Sequence, residues 1–299
     1  MKNEVTPMAY VRLDPECIRC LISKHLDAAP RSAPYEERTM YMQRMLRLIA
    51  EASPYEGAPV LVSRIEALQK EMFGIQRDFS KEKAEFNALM LSLEEGIWQK
   101  ISREEDPLYA AVQFAMIGNY IDFGAMDRVD EQTLCALLED SSRFVPSQEA
   151  YAAFRADVLS SSSLVYLTDN CGEIVMDKLL IRQMKMLNPA LEVTVITRGA
   201  PVLNDATQED ALSCGLDGHA RVMGNGSGIA GTCFADISVE AMCKIDSADM
   251  LVAKGQANFE TLRRCGKNLY YIFLCKCELF ASRFGVPRFQ GMLLRDSES

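Results

Sequence analysis

Three short stretches hold the side chains best able to do chemistry. Asp169 and Asn170 follow the apolar run LVYLT, Asp205 closes RGAPVLND (198–205), and Lys254 opens KGQANFE (254–260). Asp169, Asn170 and Asp205 are hard oxygen donors, a set that suits Mg2+ or Mn2+ rather than zinc. Magnesium keeps waters and takes remaining ligands from substrate phosphate, for which Lys254 offers a compact positive charge. Amides of the glycine-rich GNGSG (224–228), with Ser227 and Gly228, could bind further phosphate oxygens.

Each residue also has a plainer reading. Asp169 or Asn170 could cap the helix that opens at Glu173, and Asp205 could cap its neighbour beside Thr207-x-x-Asp210, itself a capping box. Lys254 could be a solvated strand end. Singly, capping is the better reading; jointly, acids and a lysine on neighbouring strand ends favour a site.

The elements that must position them follow from pattern. LVYLTDNCGEIVMD (164–177) reads strand, tight turn, helix, and further short apolar strands are expected at 192–197, 220–223, 249–253 and 269–274. Helices are expected at 173–187, 207–213, 234–246, 257–265 and 277–284. This alternation predicts an α/β fold with a largely parallel sheet covered on both faces. The strands' carboxyl ends, where ligands bind in open α/β sheets, would then gather DN with Glu173, RGAPVLND with Arg198, GNGSG, and KGQANFE with Asn258.

Upstream, residues 1–156 read as a helical domain and 157–299 as a Rossmann-like one. Val62, Ile65, Leu68, Met72 and Ile75 recur at three and four residues, as do Phe86, Leu89, Leu93, Ile97 and Ile101. Asp106 then Pro107 is an N-cap and first-turn proline, starting a helix that ends in GNYIDFG. Asn119 and Asp122 lie three apart and should share one face of its last turn. They are either a cap and a surface acid or a second, substrate-binding wall.

Composition narrows the classes. The chain has 299 residues, 48% apolar and 25% charged, which is ordinary for a globular protein. Its start lacks a signal-like apolar core and no run reaches the roughly 18 residues of a spanning helix, so a soluble, cytoplasmic protein is expected. A net charge of −10 argues against nucleic acid, and two histidines argue against His-rich zinc hydrolases. Ten cysteines read as reduced thiols. Cys17 and Cys20 form a CxxC that Cys275 and Cys277 could complete as a metal or redox cluster; buried thiols are the alternative.

Some motifs fail. Gly226-x-Gly228-x-x-Gly231 resembles a dinucleotide fingerprint, but the next strand ends in Lys254 where a ribose-binding acid should stand. Cys277 to Arg283 has cysteine-phosphatase spacing without the glycines, and there is no P-loop. A nucleotide- or SAM-binding enzyme using the glycine loop, and a non-enzymatic protein centred on the CxxC, remain as alternatives.

DNCGE with Asp177, RGAPVLNDAT, KGQANFE and the upstream GNYIDFG resemble the signature blocks of the metal-dependent damage-control phosphatases, first called domain of unknown function 89. The CxxC and terminal KC resemble its prokaryotic branch. The resemblance implies a helical domain on a Rossmann-like α/β/α domain and a divalent cation (Mg2+, Mn2+, Co2+ or Ni2+) at Asp169, Asn170 and Asp205. It also implies hydrolysis of small phosphate monoesters such as sugar phosphates or damaged metabolites. Lys254 matches the phosphate-binding lysine and Glu173 the glutamate near the metal, so Asp169, Glu173 and Lys254 are the catalytic candidates. Attack by water is the favoured route, with Asp169 as the other candidate nucleophile.

Overall fold

The computed structural model describes residues 12–26, 28–122 and 130–296. Phe123 and Gly124 of GNYIDFG, most of the N-terminal stretch, and the last three residues lie outside them. The chain forms two compact units, Met1–Arg77 and Asp78–Ser299. In the first, Asp14 accepts the N–H of Glu16 and Pro15 occupies the first turn, which starts helix α1 (Pro15–His25). With α2 (Tyr35–Ala50) and α3 (Ala58–Phe73) it encloses a core that includes Tyr41, Met45, Leu61 and Ile65.

The second unit begins with α4 (Ser80–Arg103), α5 (Pro107–Gly118), α6 (Glu131–Glu139) and α7 (Gln148–Ser160). Asp106 caps α5 as expected, accepting from the Tyr109 N–H at 3.3 Å. Strands and helices then alternate: β1 (Ser163–Leu167), α8 (Glu173–Leu187), β2 (Glu192–Thr197), α9 (Gln208–Ser213), β3 (Arg221–Gly224) and α10 (Val239–Ser247). The chain continues through β4 (Met250–Lys254), α11 (Gly255–Leu262), β5 (Leu269–Leu274), α12 (Glu278–Phe284) and β6 (Gly291–Arg295). Secondary structure thus changes type close to the expected 156/157 boundary. Packing divides the chain earlier, because α4 and α5 bury their apolar faces in the core of the sheet unit.

Strand residues alternate between two cores. Leu164, Tyr166, Val195 and Val252 join α4, α5 and α8 on one face, while Val165, Leu167, Leu251 and Ala253 join α10, α11 and α12 on the other. The sheet order is β3-β2-β1-β4-β5-β6, parallel except for β6. Val165 sits opposite Thr194 of β2 and Leu251 of β4. Strand order therefore reverses at β1/β4, the topological switch point beside which such sheets form their crevice.

Three expectations shift. The antiparallel edge strand β6 was not foreseen, because GMLLR has no period-2 alternation and is a strand through pairing with β5. The helix expected at 234–246 starts at Val239, where Ser238 caps it. Asn119 and Asp122 do not share a helical turn, since α5 ends at Gly118; Asn119 is its C-cap and Asp122 lies beyond it.

Candidate metal and phosphate site

At the carboxyl end of β1 the chain turns on Gly172, with φ +78°, into α8. Neither Asp169 nor Asn170 offers a side-chain cap to that helix. Asp205 does not cap α9 either; Thr207 does, in the full reciprocal box with Asp210. Lys254, at the end of β4, has no solvent exposure. The plainer readings of these four residues therefore give way to burial together.

The buried groups form two linked ion clusters. Arg198 donates from Nε to Asp205 Oδ2 at 2.6 Å and from Nη2 to Asp169 Oδ1 at 3.2 Å. Lys254 Nζ donates to Glu173 Oε1 at 2.8 Å, Asp177 Oδ1 at 2.6 Å and the carbonyl of Ala115 at 2.8 Å. Asn119 joins them, its Nδ2 lying 3.1 Å from Asp169 Oδ2 and 3.0 Å from Glu173 Oε2. Asn170 Nδ2 does the same at 2.8 and 2.9 Å, which leaves its amide oxygen as the atom a cation would meet.

Backbone bonds lock the loops to each other. Ala206 N–H donates to Asp169 O, and Cys171 N–H to Asn204 O, so Asp205 is delivered beside Asn170. Gly255 has φ +80°, and a Cβ there would collide with Asp169 Oδ2; only glycine lets β4 turn into α11 so close to that carboxylate. Asn258 donates to Thr168 O at 3.1 Å and Lys254 O at 2.7 Å, tying the ends of β1 and β4, while its Oδ1 accepts from Thr232.

Burial sets the electrostatics. It pushes the Asp169 carboxyl well above its usual range, with Asp205 and Glu173 adding to the effect and Arg198 opposing it. Burial also pushes Asp205 up to about 6 against the opposing Arg198, and Asp177 up to about 6 against Lys254. Burial alone would lower Lys254, but Asp177 and Glu173 outweigh it and hold the ammonium above its ordinary value. The Cys171 thiol is pushed up, first by burial, which makes it a poor nucleophile.

The donor chemistry fits a divalent cation. Among the described residues, Asp122, Asp169, Glu173, Asp177 and Asp205 outnumber the cations paired with them, Arg198, Lys254 and Lys276. A divalent ion would supply the missing positive charge, and the oxygens of Asp169, Asn170 and Asp205 suit a hard one. Among the described residues no three His, Cys, Asp or Glu side chains form a ready cage, consistent with a set built on two carboxylates and an amide.

Other expected residues lie further out. Ser227 accepts the Gly199 N–H through its carbonyl at 2.8 Å and the Ile229 N–H through its hydroxyl at 3.2 Å. Among the described residues neither Ser227 nor Gly228 hydrogen-bonds the carboxylates. Asn225, beside them, accepts two N–H groups at Oδ1, and its buried Nδ2 has no acceptor among the described residues. Cys17 and Cys20 lie one turn apart on α1 of the first unit, and Cys275 and Cys277 follow β5 in the second. Asp122 pairs with Lys276, 2.7 Å away. Sequence reasoning missed Lys276, although it too is a cation following a strand.

A Rossmann-like sheet with oxygen donors and buried cations at its switch point has the arrangement of the open α/β proteins that bind their ligands there. Residues 13–291 match the model of the damage-control phosphatase ARMT1-like domain, and the chain belongs to that family. It is therefore a phosphatase, a hydrolase, by membership. A damage-control phosphatase of Archaeoglobus fulgidus is 29% identical over 283 residues, covering 92% of this chain and 96% of that one. One of Pyrococcus horikoshii is 27% identical over 280 residues, covering 91% and 94%. The crystal structure of a domain-of-unknown-function-89 protein from Pyrococcus horikoshii has the same fold, with TM-score 0.71 at 24% identity over 95% of this chain and 99% of that one. No helix among the described residues is long and apolar enough to cross a membrane.

Proposed function

We propose that the chain is a metal-dependent phosphomonoesterase for small phosphorylated metabolites, sugar phosphates or damaged phosphorylated compounds. The observation that carries this reading is the convergence of Asp169 and Asn170 from β1 with Asp205 from the loop after β2, buried among more carboxylates than cations. These three residues would hold a divalent cation such as Mg2+, Mn2+, Co2+ or Ni2+. When bound, the cation supplies positive charge at the phosphoryl oxygens and acidifies the attacking water.

The chain's own residues orient that set. Glu173 accepts from the Asn119 and Asn170 amides and so turns the Asn170 oxygen outward. Arg198 bridges Asp169 and Asp205 and carries a guanidinium able to meet a phosphate oxygen. Lys254 spends its three N–H groups inside the protein, so we assign it to fixing Glu173 and Asp177. Asn258 is a strut between strand ends. Both Asp169 oxygens already accept hydrogen bonds, which favours water over Asp169 as nucleophile. Asn225 Nδ2, which has no acceptor among the described residues, supports placing the distal part of the ligand near the 224–228 loop.

The test is a panel of phosphorylated metabolites assayed with each of the four metals, on the wild type and Asp205→Ala. The variant should fold normally and lose metal-stimulated turnover on the order of a thousandfold. Full activity in Asp205→Ala would overturn the assignment. A nucleotide-binding reading finds less support: β3 is the sheet's edge, and α10 begins only at Val239, well past Gly231.

A further inference from the structure

Phe289 stands in a conformation that its side chain resists. Its φ is +63°, in the left-handed region where a bulky residue is an outlier. It occupies the third position of a four-residue turn in which Gln290 N–H donates to Pro287 O at 3.3 Å. With positive φ there, such a turn ordinarily takes glycine. Core packing does not explain the choice: among the described residues Phe289 joins none of the three hydrophobic cores, and it stays half-buried. Backbone strain that core burial does not offset marks a candidate functional position.

The turn is tied to the edge of the carboxylate set. Phe289 N–H donates to Cys275 O at 2.8 Å, Cys275 N–H to Gln290 O at 2.9 Å, and Arg288 Nε to Lys276 O at 3.1 Å. Lys276 in turn pairs with Asp122. From the other side comes Tyr120, also half-buried. Its neighbour Asn119 reaches Asp169 Oδ2 at 3.1 Å, and its neighbour Ile121 accepts through its carbonyl from Asn204, the residue before Asp205. The rings of Tyr120 and Phe289 meet with centroids 6.2 Å apart and planes at 56°. The Arg288 guanidinium lies 5.2 Å from the Phe289 centroid. Two half-buried rings and a guanidinium thus gather beside the proposed metal ligands.

Resting on the phosphatase reading above, we propose that Tyr120 and Phe289 form a subsite for the leaving group of the substrate, and that this group is a ring with a flat apolar face, a cyclic sugar or an aryl group, rather than an open chain. A ring laid on these faces covers apolar surface that water otherwise wets, and it gains dispersion contacts over its whole area. Being rigid, it also loses less conformational freedom on binding than an open chain of the same size. The strain at Phe289 then has a use. It sets an aromatic side chain beside the site where the glycine that the turn prefers would set none.

The probes are matched monoesters assayed with Mg2+ on the full-length protein: glucose 6-phosphate against sorbitol 6-phosphate, and phenyl phosphate against hexyl phosphate. The wild type should have the lower KM for the ring-bearing member of at least one pair. Phe289→Gly should raise that KM about three- to tenfold with kcat nearly unchanged, and should leave the open-chain KM alone. Its melting temperature should hold or rise, because glycine relaxes the turn. Phe289→Tyr should keep the ring preference, and the pair that loses more in Phe289→Gly names the ring, sugar or aryl. A merely structural Phe289 predicts instead a lower melting temperature with every KM unchanged, and a general disturbance raises ring and open-chain KM alike; either result overturns the proposal. Tyr120→Leu, which keeps an apolar side chain against the core, should cause the same ring-selective loss. Equal KM for ring and open chain in the wild type would remove the subsite while sparing the phosphatase reading. Calorimetry with the same esters covers the converse: ring-selective binding that depends on Phe289, without turnover of any ester, would keep the subsite and refute the phosphatase reading.

Discussion

In the unit Met1–Arg77, Arg44 meets Glu71 through two parallel bonds of 2.9 Å, and Arg64 meets Glu56 in the same way at 2.9 and 2.7 Å. In the unit Asp78–Ser299, Lys254 meets Glu173 and Asp177 at 2.8 and 2.6 Å. The lengths are alike and the surroundings opposite: Arg44 and Glu71 are 41% and 62% exposed, the Lys254 cluster 0%. Water and salt screen the first kind, and its two flexible side chains lose entropy on pairing, so it contributes little. The second kind was stripped of water at a cost that its Coulomb attraction only partly offsets. The difference teaches where function sits: among the described residues, the most deeply buried ion pairs, those of Lys254 with Glu173 and Asp177 and of Arg198 with Asp169 and Asp205, converge on the switch point of the sheet.

That comparison can be broken by substitution. Lys254→Met should have the largest effect on stability, about 3–5 kcal/mol by urea denaturation, because it leaves Glu173 and Asp177 buried without their cation. A loss no greater than that of a surface lysine would show the cluster to be wetter than its burial implies. Gly255→Ala comes next. Forcing a side chain to positive φ costs about 1–2 kcal/mol, and its Cβ must also push Asp169 aside, so turnover should fall by about a hundredfold even where the protein folds.

The two units should also answer pH in opposite directions. Burial, then Arg77 and Lys24, lowers His25 to about 4, so between about 4 and 6.5 the unfolded chain binds the proton that the folded unit refuses. Stability from His25 is full above 6.5 and is lost as the pH falls through that window. Asp177 and Asp205, pushed up to about 6 and starting from 3.8, keep protons that the unfolded chain has released. Their strain is relieved on acidification between 6 and 3.8. Hydrogen exchange of the metal-free protein in chelator at pH 7 and pH 5 should show protection falling in α1 to α3 and rising in β1, β4 and α8. Parallel changes in both would contradict the contrast. The smallest expected effect is that of Arg44→Ala, which should leave the denaturation midpoint within error.

Much of the fold was legible because its signals are local. The 3.6-residue period of α3 and α4, the Asp106-Pro107 start of α5, and the Thr207–Asp210 box each act within a turn or two of helix. Five of the six strands were short, largely apolar runs bounded by turn residues. The edge strand β6 was not legible, because GMLLR becomes a strand only by pairing with β5. Nor was the division at Arg77/Asp78, since helices stand on both sides of it and only their cores differ.

For the site, the sequence by itself determined that oxygen donors and a lysine would stand at strand ends: apolar runs must stop where polar side chains begin, and that happens at Asp169, near Asp205 and at Lys254. Only the tertiary structure decided which ends are neighbours and which charges meet. The order β3-β2-β1-β4-β5-β6 brings β1 against β4, setting Gly255 against Asp169 and Lys254 against Glu173 and Asp177, partners 81 and 77 residues away. It also buried Lys276 with a single carboxylate, a property of packing. Pairing across such separations carries no local signal, because its free energy comes from water removed when distant segments close together, and no residue's immediate neighbours record that.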